Sequence, residues 1–163
     1  MMTSVALKLS VRDLTHEDLV SCGWAGSEHH LAGVAGQLER ARTGEVDYLA
    51  VCAPAGIPVA KGGVDYQVKD GAGTLWQLAV HPALQSCGIG TFLIASAELR
   101  ISNRGLRQAE LTVEEDNHRA RALYERLGYV AYDRQPDSWD EQAADGSLRR
   151  HETICTLMRK ELA

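Results

Sequence analysis

Two short segments carry residue types at spacings that suit chemistry. The first is Gln85-Ser86-Cys87-Gly88-Ile89-Gly90 with Thr91, set between the apolar run Leu75–Val80 and a helical pattern. Glycines there remove the Cβ atoms that would keep an anion away from the backbone, and free N–H groups at a helix start add a positive dipole end. A diphosphate suits such a loop. The second segment runs from Asn117 to Tyr129, where Asn117 begins a helix and Tyr124 follows two turns later on the same face. A phenol, with an ordinary pKa near ~10, keeps its proton at neutral pH and can give it to a departing anion. Candidate proton acceptors stand at strand ends: Glu114, Glu115 and Asp116 before Asn117, His81 after the apolar run, and His151 with Glu152 near the C-terminus.

A strand, a G-x-G and a helix also open a dinucleotide-binding unit, and Glu114 closes the next strand roughly where a ribose-binding acid belongs. Against that, the third fingerprint position is Leu93, and His81-Pro82-Ala83-Leu84-Gln85 separates strand end from first glycine. A nucleoside-triphosphate loop fails sooner, because no Gly-Lys-Ser/Thr follows and no lysine lies between Gln85 and Arg104. The pattern Gln, two spacers, Gly, one spacer, Gly after Val80-His81-Pro82, joined to Leu123-Tyr124-Glu125-Arg126-Leu127-Gly128-Tyr129, instead resembles the GNAT N-acetyltransferase superfamily. The resemblance is clearest from Tyr48 to Tyr132.

That resemblance implies acetyl-CoA as co-substrate, with no metal, and acyl transfer to a primary amine by direct attack in a ternary complex. It implies that Gln85, Ser86, Cys87, Gly88, Ile89, Gly90 and Thr91 cradle the diphosphate. Asn117 and Tyr124 would touch the pantetheine arm and sulfur. A bulge in the preceding strand would turn the backbone N–H groups of Leu78, Ala79 and Val80 toward the acetyl carbonyl. Tyr124 is the expected general acid, and the base stays open among the acids and histidines above. An acyl-CoA-binding or sensing module without catalysis is the alternative of another class. Cys87, at a helix start, is read as a spacer rather than a nucleophile. Of Trp24, Trp76 and Trp139, at most one is expected to meet the acceptor.

The elements that must position these groups follow from periodicity. Leu7–Val11 alternates like an edge strand, and Thr15 with Glu17-Asp18 marks a helix start. His29–Arg42 has helical spacing weakened by Gly33 and Gly36, which predicts a short or mobile helix. Tyr48–Cys52 and Ile57–Ala60 read as a hairpin, with Val64–Val68 extending its second strand past Gly62-Gly63. Thr74–His81 is the most apolar strand, with Thr74, Trp76 and Leu78 on one face and Leu75, Gln77, Ala79 and His81 on the other. A helix capped by Gly105, a strand Gln108–Val113 and the Asn117 helix complete the centre. Tyr129–Asp133 and His151–Met158 read as strands joined by a polar surface loop, Gln135–Arg150.

The expected fold is a single α/β N-acetyltransferase domain over residues 1–163. Its mixed, mostly antiparallel sheet has six to seven strands and about four helices, and it opens between two central parallel strands. The chain's 163 residues suffice for a core without staples. A net charge of −5 removes the overall attraction to nucleic acid, and no apolar stretch reaches the ~20 residues that span a bilayer. Cys22, Cys52, Cys87 and Cys155 are scattered without a C-x-x-C pair, which fits a reducing cytoplasm better than a disulfide or zinc framework. The expected partner is a small-molecule or peptide amine, with neither nucleic acid nor membrane, and a homodimer stays open.

Overall fold

Seven strands and three α-helices are laid out along the 163 residues, all described by the computed structural model. In chain order they are β1 (Ser10–Asp13), α1 (Glu28–Arg42), β2 (Val46–Cys52), β3 (Pro58–Asp65), β4 (Ala72–Val80), α2 (Ile89–Asn103), β5 (Gln108–Glu114), α3 (His118–Arg126), β6 (Val130–Gln142) and β7 (Leu148–Glu161). Short 3-10 turns occupy His16–Ser21, Gly23–Ala25 and Pro82–Leu84. The strands make one sheet in the order β1-β2-β3-β4-β5-β7-β6. Every neighbouring pair is antiparallel except β4 with β5. The sheet is therefore mixed and mostly antiparallel, and this order excludes the dinucleotide-binding fold, whose sheet is parallel.

Each face of the sheet buries one long helix. Leu93, Ile94, Ala97 and Ile101 of α2 pack on Leu49, Val51, Val64 and Leu111 in the larger core. Val34 and Leu38 of α1 pack on Tyr48, Ala50 and Cys52 in the smaller one. Full burial of each such aliphatic side chain stabilises by about 1.5–3 kcal/mol. The helix ends are fixed locally. Ser27 accepts from the His30 N–H at 3.2 Å at the start of α1, and Gly105 takes φ +80° just past α2.

Three expectations change. α1 runs its full 15 residues, because burial of Val34 and Leu38 against the sheet outweighs the propensity cost of Gly33 and Gly36. The first strand begins at Ser10 rather than Leu7, where pairing with Cys52 begins. The largest correction concerns Gln135–Arg150, which is strand almost throughout: β6 and β7 pair from Val130↔Arg159 to Gln142↔Leu148. β6 is the sheet's edge and mostly exposed, so polar side chains cost it nothing, and an edge strand tolerates Pro136 because an N–H is not needed on the solvent side. Composition resembling a loop is what an exposed hairpin edge requires.

Where β3 crosses β4, Gly63 lies under the Trp76 ring, and a Cβ there would fall well inside van der Waals contact. Trp76 cannot easily retreat, since its ring is set edge-on against buried Tyr48 at 5.7 Å. Gly63→Ala is expected to destabilise the protein by about 1–3 kcal/mol through overpacking. A urea titration followed by tryptophan fluorescence checks this as a lowered midpoint.

Candidate functional site

β4 stays beside β5 for only three residue pairs, Ala72↔Gln108, Gly73↔Ala109 and Thr74↔Glu110. β5 holds β7 along its whole length, so the parting falls to β4. Pairing with β3 continues, but the register shifts between Lys61 and Gly63, and opposite that shift Gln77 adopts φ +55°. This is a β-bulge, and it breaks the strict alternation expected for the strand. Trp76 packs in the α1 core, and Gln77 stays on that side, its Oε1 accepting from the Tyr48 hydroxyl at 2.9 Å. Leu78 and Val80 then join Leu75 on the α2 side instead of following Trp76. The two non-glycine residues at positive φ are Gln77, at the bulge, and Ser86, in the glycine loop. Local strain of this kind persists where surrounding structure holds it.

A cleft of about 820 Å³ opens on one side of the bulge. Leu78, Ala79, Val80, Gln85, Ser86, Gly88, Gly90, Thr91, Asn117 and Tyr124 all line it, as do Trp24, Leu84, Arg119, Leu123 and Arg126. Two expected positions do not. Ile89 is buried beneath the loop, and Cys87 is exposed, its thiol donating to the Gln85 carbonyl at 3.6 Å. The loop turns through Ser86 at φ +63° and Gly88 at φ +83°, which opens α2. Arg119 lies across it, donating to Ser86 Oγ at 2.6 Å and to Gln85 Oε1 at 3.5 Å. Helix start, glycines and a guanidinium thus converge on one anion-sized place, with apolar walls of Val80, Leu84 and Leu123 beyond it. That combination fits a long thiol-bearing arm ending in a diphosphate.

Asn117 caps α3, accepting from the Ala120 N–H at 3.2 Å, and also faces the cleft. The Tyr124 ring meets Tyr129 edge-on at 6.2 Å, and burial raises its phenol above the usual value, so it stays protonated.

A second cavity of about 960 Å³ lies on the other side of β4, walled by the start of α1, by Trp76 and Gln77, and by Ser138–Gln142 with Arg150. Ala25 lines both cavities. Trp24 therefore faces the first cavity, and Trp76 and Trp139 the second. His30 borders the second with its Nε2 buried and without a partner. Burial, helped by Lys61 and His29, holds this ring down to about 4, so it is neutral at neutral pH.

The candidate bases separate. Glu114 meets His151 at 2.5 Å, and His151 lies against the Trp139 ring at 4.8 Å, at the margin of the second cavity. Donating to the Glu114 carboxylate raises the imidazole above its ordinary value. Glu115 is drawn away to Arg134 at 2.8 Å. His81 accepts the Ala83 N–H through Nδ1 at 3.1 Å, so it caps the Pro82–Leu84 turn. Asp116 and Glu152 are exposed and line neither cavity.

Two site residues escaped the sequence reading. Arg119 had a signal: a cation in the first turn of a helix opposes the macrodipole, which an anion beside it would offset. Lys61 had another, as a lone charge within the otherwise apolar Val59–Val64. Gly88 and Gly90 also differ in what they require. Gly88 needs its positive φ, so Gly88→Ala is expected to cost about 1–2 kcal/mol. At Gly90 an added Cβ meets only Leu123 and Val80 at 3.8 Å, ordinary contact, so Gly90→Ala should leave the urea midpoint near the parent's while Gly88→Ala lowers it.

Comparison with known proteins agrees with this geometry. The model of the acetyltransferase (GNAT) family matches residues 12–129. The [ribosomal protein bS18]-alanine N-acetyltransferase of Haemophilus influenzae is 35% identical over 60 residues, covering 37% of this chain and 40% of that protein. The chain spans 20–40% of the length of curated relatives that it matches, mycothiol acetyltransferases among them. The crystal structure of ribosomal-protein-S18-alanine N-acetyltransferase from Escherichia coli superposes with a TM-score of 0.71 at 20% identity, covering 96% of this chain and 95% of that one. PaiA N-acetyltransferase from Thermoplasma acidophilum, solved in complex with coenzyme A, gives 0.69 at 16% identity, covering 94% and 99%. The family uses acetyl-CoA, and since its model spans well over half of these residues, the chain belongs to the acetyltransferase (GNAT) family.

Proposed function

We propose that this protein transfers an acyl group, acetyl foremost, from acetyl-CoA to a primary amine on a small molecule or peptide, by direct attack in a ternary complex. One observation carries the reading: bulged β4 runs between two cavities, with Trp76 and Gln77 on one and Leu78, Ala79 and Val80 on the other. A donor and an acceptor could meet there across a single strand. Bound acetyl-CoA supplies the activated acyl group as a thioester. Everything else falls to the chain. Gln85 to Thr91, excepting Cys87 and Ile89, holds the diphosphate with Arg119, and Asn117 borders the arm. The N–H of Leu78, helped by its neighbours Ala79 and Val80, stabilises negative charge on the carbonyl oxygen.

Tyr124 holds the proton for the departing sulfur, and its raised pKa keeps that proton in place until a thiolate develops. Glu114 and His151 together take the proton lost by the attacking nitrogen, acting as one coupled pair. Asp140 in the second cavity is engaged by Arg150 at 3.2 Å, while Glu141 accepts from the Trp139 indole at 3.1 Å and keeps an acidic side toward an incoming amine. The chain is proposed to act as one domain over 1–163. Its free cysteines suit a reducing cytoplasm, and no helix is long and apolar enough to cross a membrane.

The test is release of free coenzyme A thiol over a panel of primary amines, with coenzyme A affinity followed by calorimetry. Tyr124→Phe is expected to lower kcat by about 10²-fold or more with affinity retained, while Cys87→Ala leaves kcat intact. An unchanged rate in Tyr124→Phe removes it as the acid, and complete loss in Cys87→Ala points to an acyl-cysteine route. Tight coenzyme A binding without thiol release on any amine would make the protein a binding or sensing module.

A further inference from the structure

Lys61 lies in β3 opposite the bulge and is wholly buried, at 0% exposure. Its Nζ donates to the Gln77 carbonyl at 3.1 Å and to the Tyr48 hydroxyl at 3.0 Å. Tyr48 in turn donates to Gln77 Oε1 at 2.9 Å, so one ammonium secures both the main chain and the side chain of the bulge residue. No carboxylate pairs with it. The ionisable groups around it are Tyr48 from β2, the buried Cys22 thiol from between two 3-10 turns, and the neutral His30 ring from α1. Burying a cation without a counter-charge opposes folding, and an apolar side chain of similar volume would fill the place without that cost. The ammonium therefore answers a need other than packing.

We infer that Lys61 is a positioning residue for the acyl transfer proposed above, and on that reading its ammonium holds the Gln77 carbonyl on the α1 side and so aims the Leu78 N–H into the cofactor cleft. The peptide joining Gln77 to Leu78 is trans, so its C=O and N–H point in opposite directions. Pinning the carbonyl toward Lys61 leaves the N–H directed away from it, and Leu78 lines the first cavity while Gln77 lines the second. The pin also holds a glutamine at φ +55°, a conformation that relaxes toward ordinary strand once its partner is lost. A positive charge behind the peptide further polarises its N–H toward a developing oxyanion.

Burial pushes Lys61 down to about 8, with the Cys22 thiol acting weakly in the opposite sense. Two opposed pH dependences follow. Turnover falls as pH rises through about 8 and the ammonium is lost. Stability moves the other way: between that value and the ordinary 10.5 the unfolded chain binds the extra proton, so folding becomes more favourable as pH rises.

Lys61→Met should bind coenzyme A as the parent does, lose about 10²-fold in kcat, and lose the fall in rate near pH 8. Lys61→Arg should recover part of kcat. Parental kcat in Lys61→Met, or a parental profile flat through pH 8, would overturn the inference. Should Lys61→Met fail to fold, the parental pH profile and Lys61→Arg decide. Should the parent acylate no amine, the functional reading fails separately, and an NMR titration of the parent decides the positioning role: a Leu78 amide shift with a midpoint near 8 supports it, and a flat response overturns it.

Discussion

β4 and β5 part after Thr74 and Glu110, and the chemistry of the cleft rests on hydrogen bonds that the two strands do not make. Backbone N–H and C=O groups turned away from a sheet still need partners. Those that face β3 find them there, except at the bulge, where the register slips and Gln77 takes a left-handed conformation. There the carbonyl is satisfied by the Lys61 ammonium rather than by a neighbouring strand. Leu78, on the other end of that peptide, lines the first cavity. A cleft is thus made by withholding secondary structure, on a strand otherwise anchored in the core through Leu75.

The remaining electrostatics follow the same axis. Two helices begin at the first cavity, α2 at Gly88 and α3 after Asn117, so both present unpaired N–H groups to it. Arg119 adds a formal charge where those dipoles already favour an anion, and its bonds to Ser86 and Gln85 fix the loop beneath it. Across β4 the balance reverses toward Glu141, Asp140 and the Glu114–His151 pair. A cleft lined by Arg119 and Arg126 and a cavity lined by Asp140 and Glu141 thus lie on opposite sides of one strand.

Much of this was legible in the sequence because it is local. Loop glycines, the Asn117 cap, the Gly105 stop and the apolar β4 run each depend on neighbours within a few residues, and each lies where periodicity and turn chemistry place it. What escaped depends on contacts distant in sequence. The β6 and β7 hairpin is polar because an exposed edge strand has no face to bury, so composition could not separate it from a loop. The parity change at Gln77 is invisible to an alternation rule, since a bulge is fixed by the partner strand and by Lys61 and Tyr48, 16 and 29 residues away. The pairing of Glu114 with His151 spans 37 residues, and β7 brings it about by running four residues beyond Cys155, the partner of Glu114 at the end of β5.

The most direct measurement is infrared difference spectroscopy of acetyl-CoA labelled with 13C at the thioester carbonyl, free and bound to this protein. Donation from the bulge amide to the carbonyl oxygen weakens the C=O bond, so the stretch should fall to lower frequency on binding than in water. A bound stretch at or above the aqueous frequency would contradict the proposal that main-chain N–H groups at Leu78 meet the acyl group.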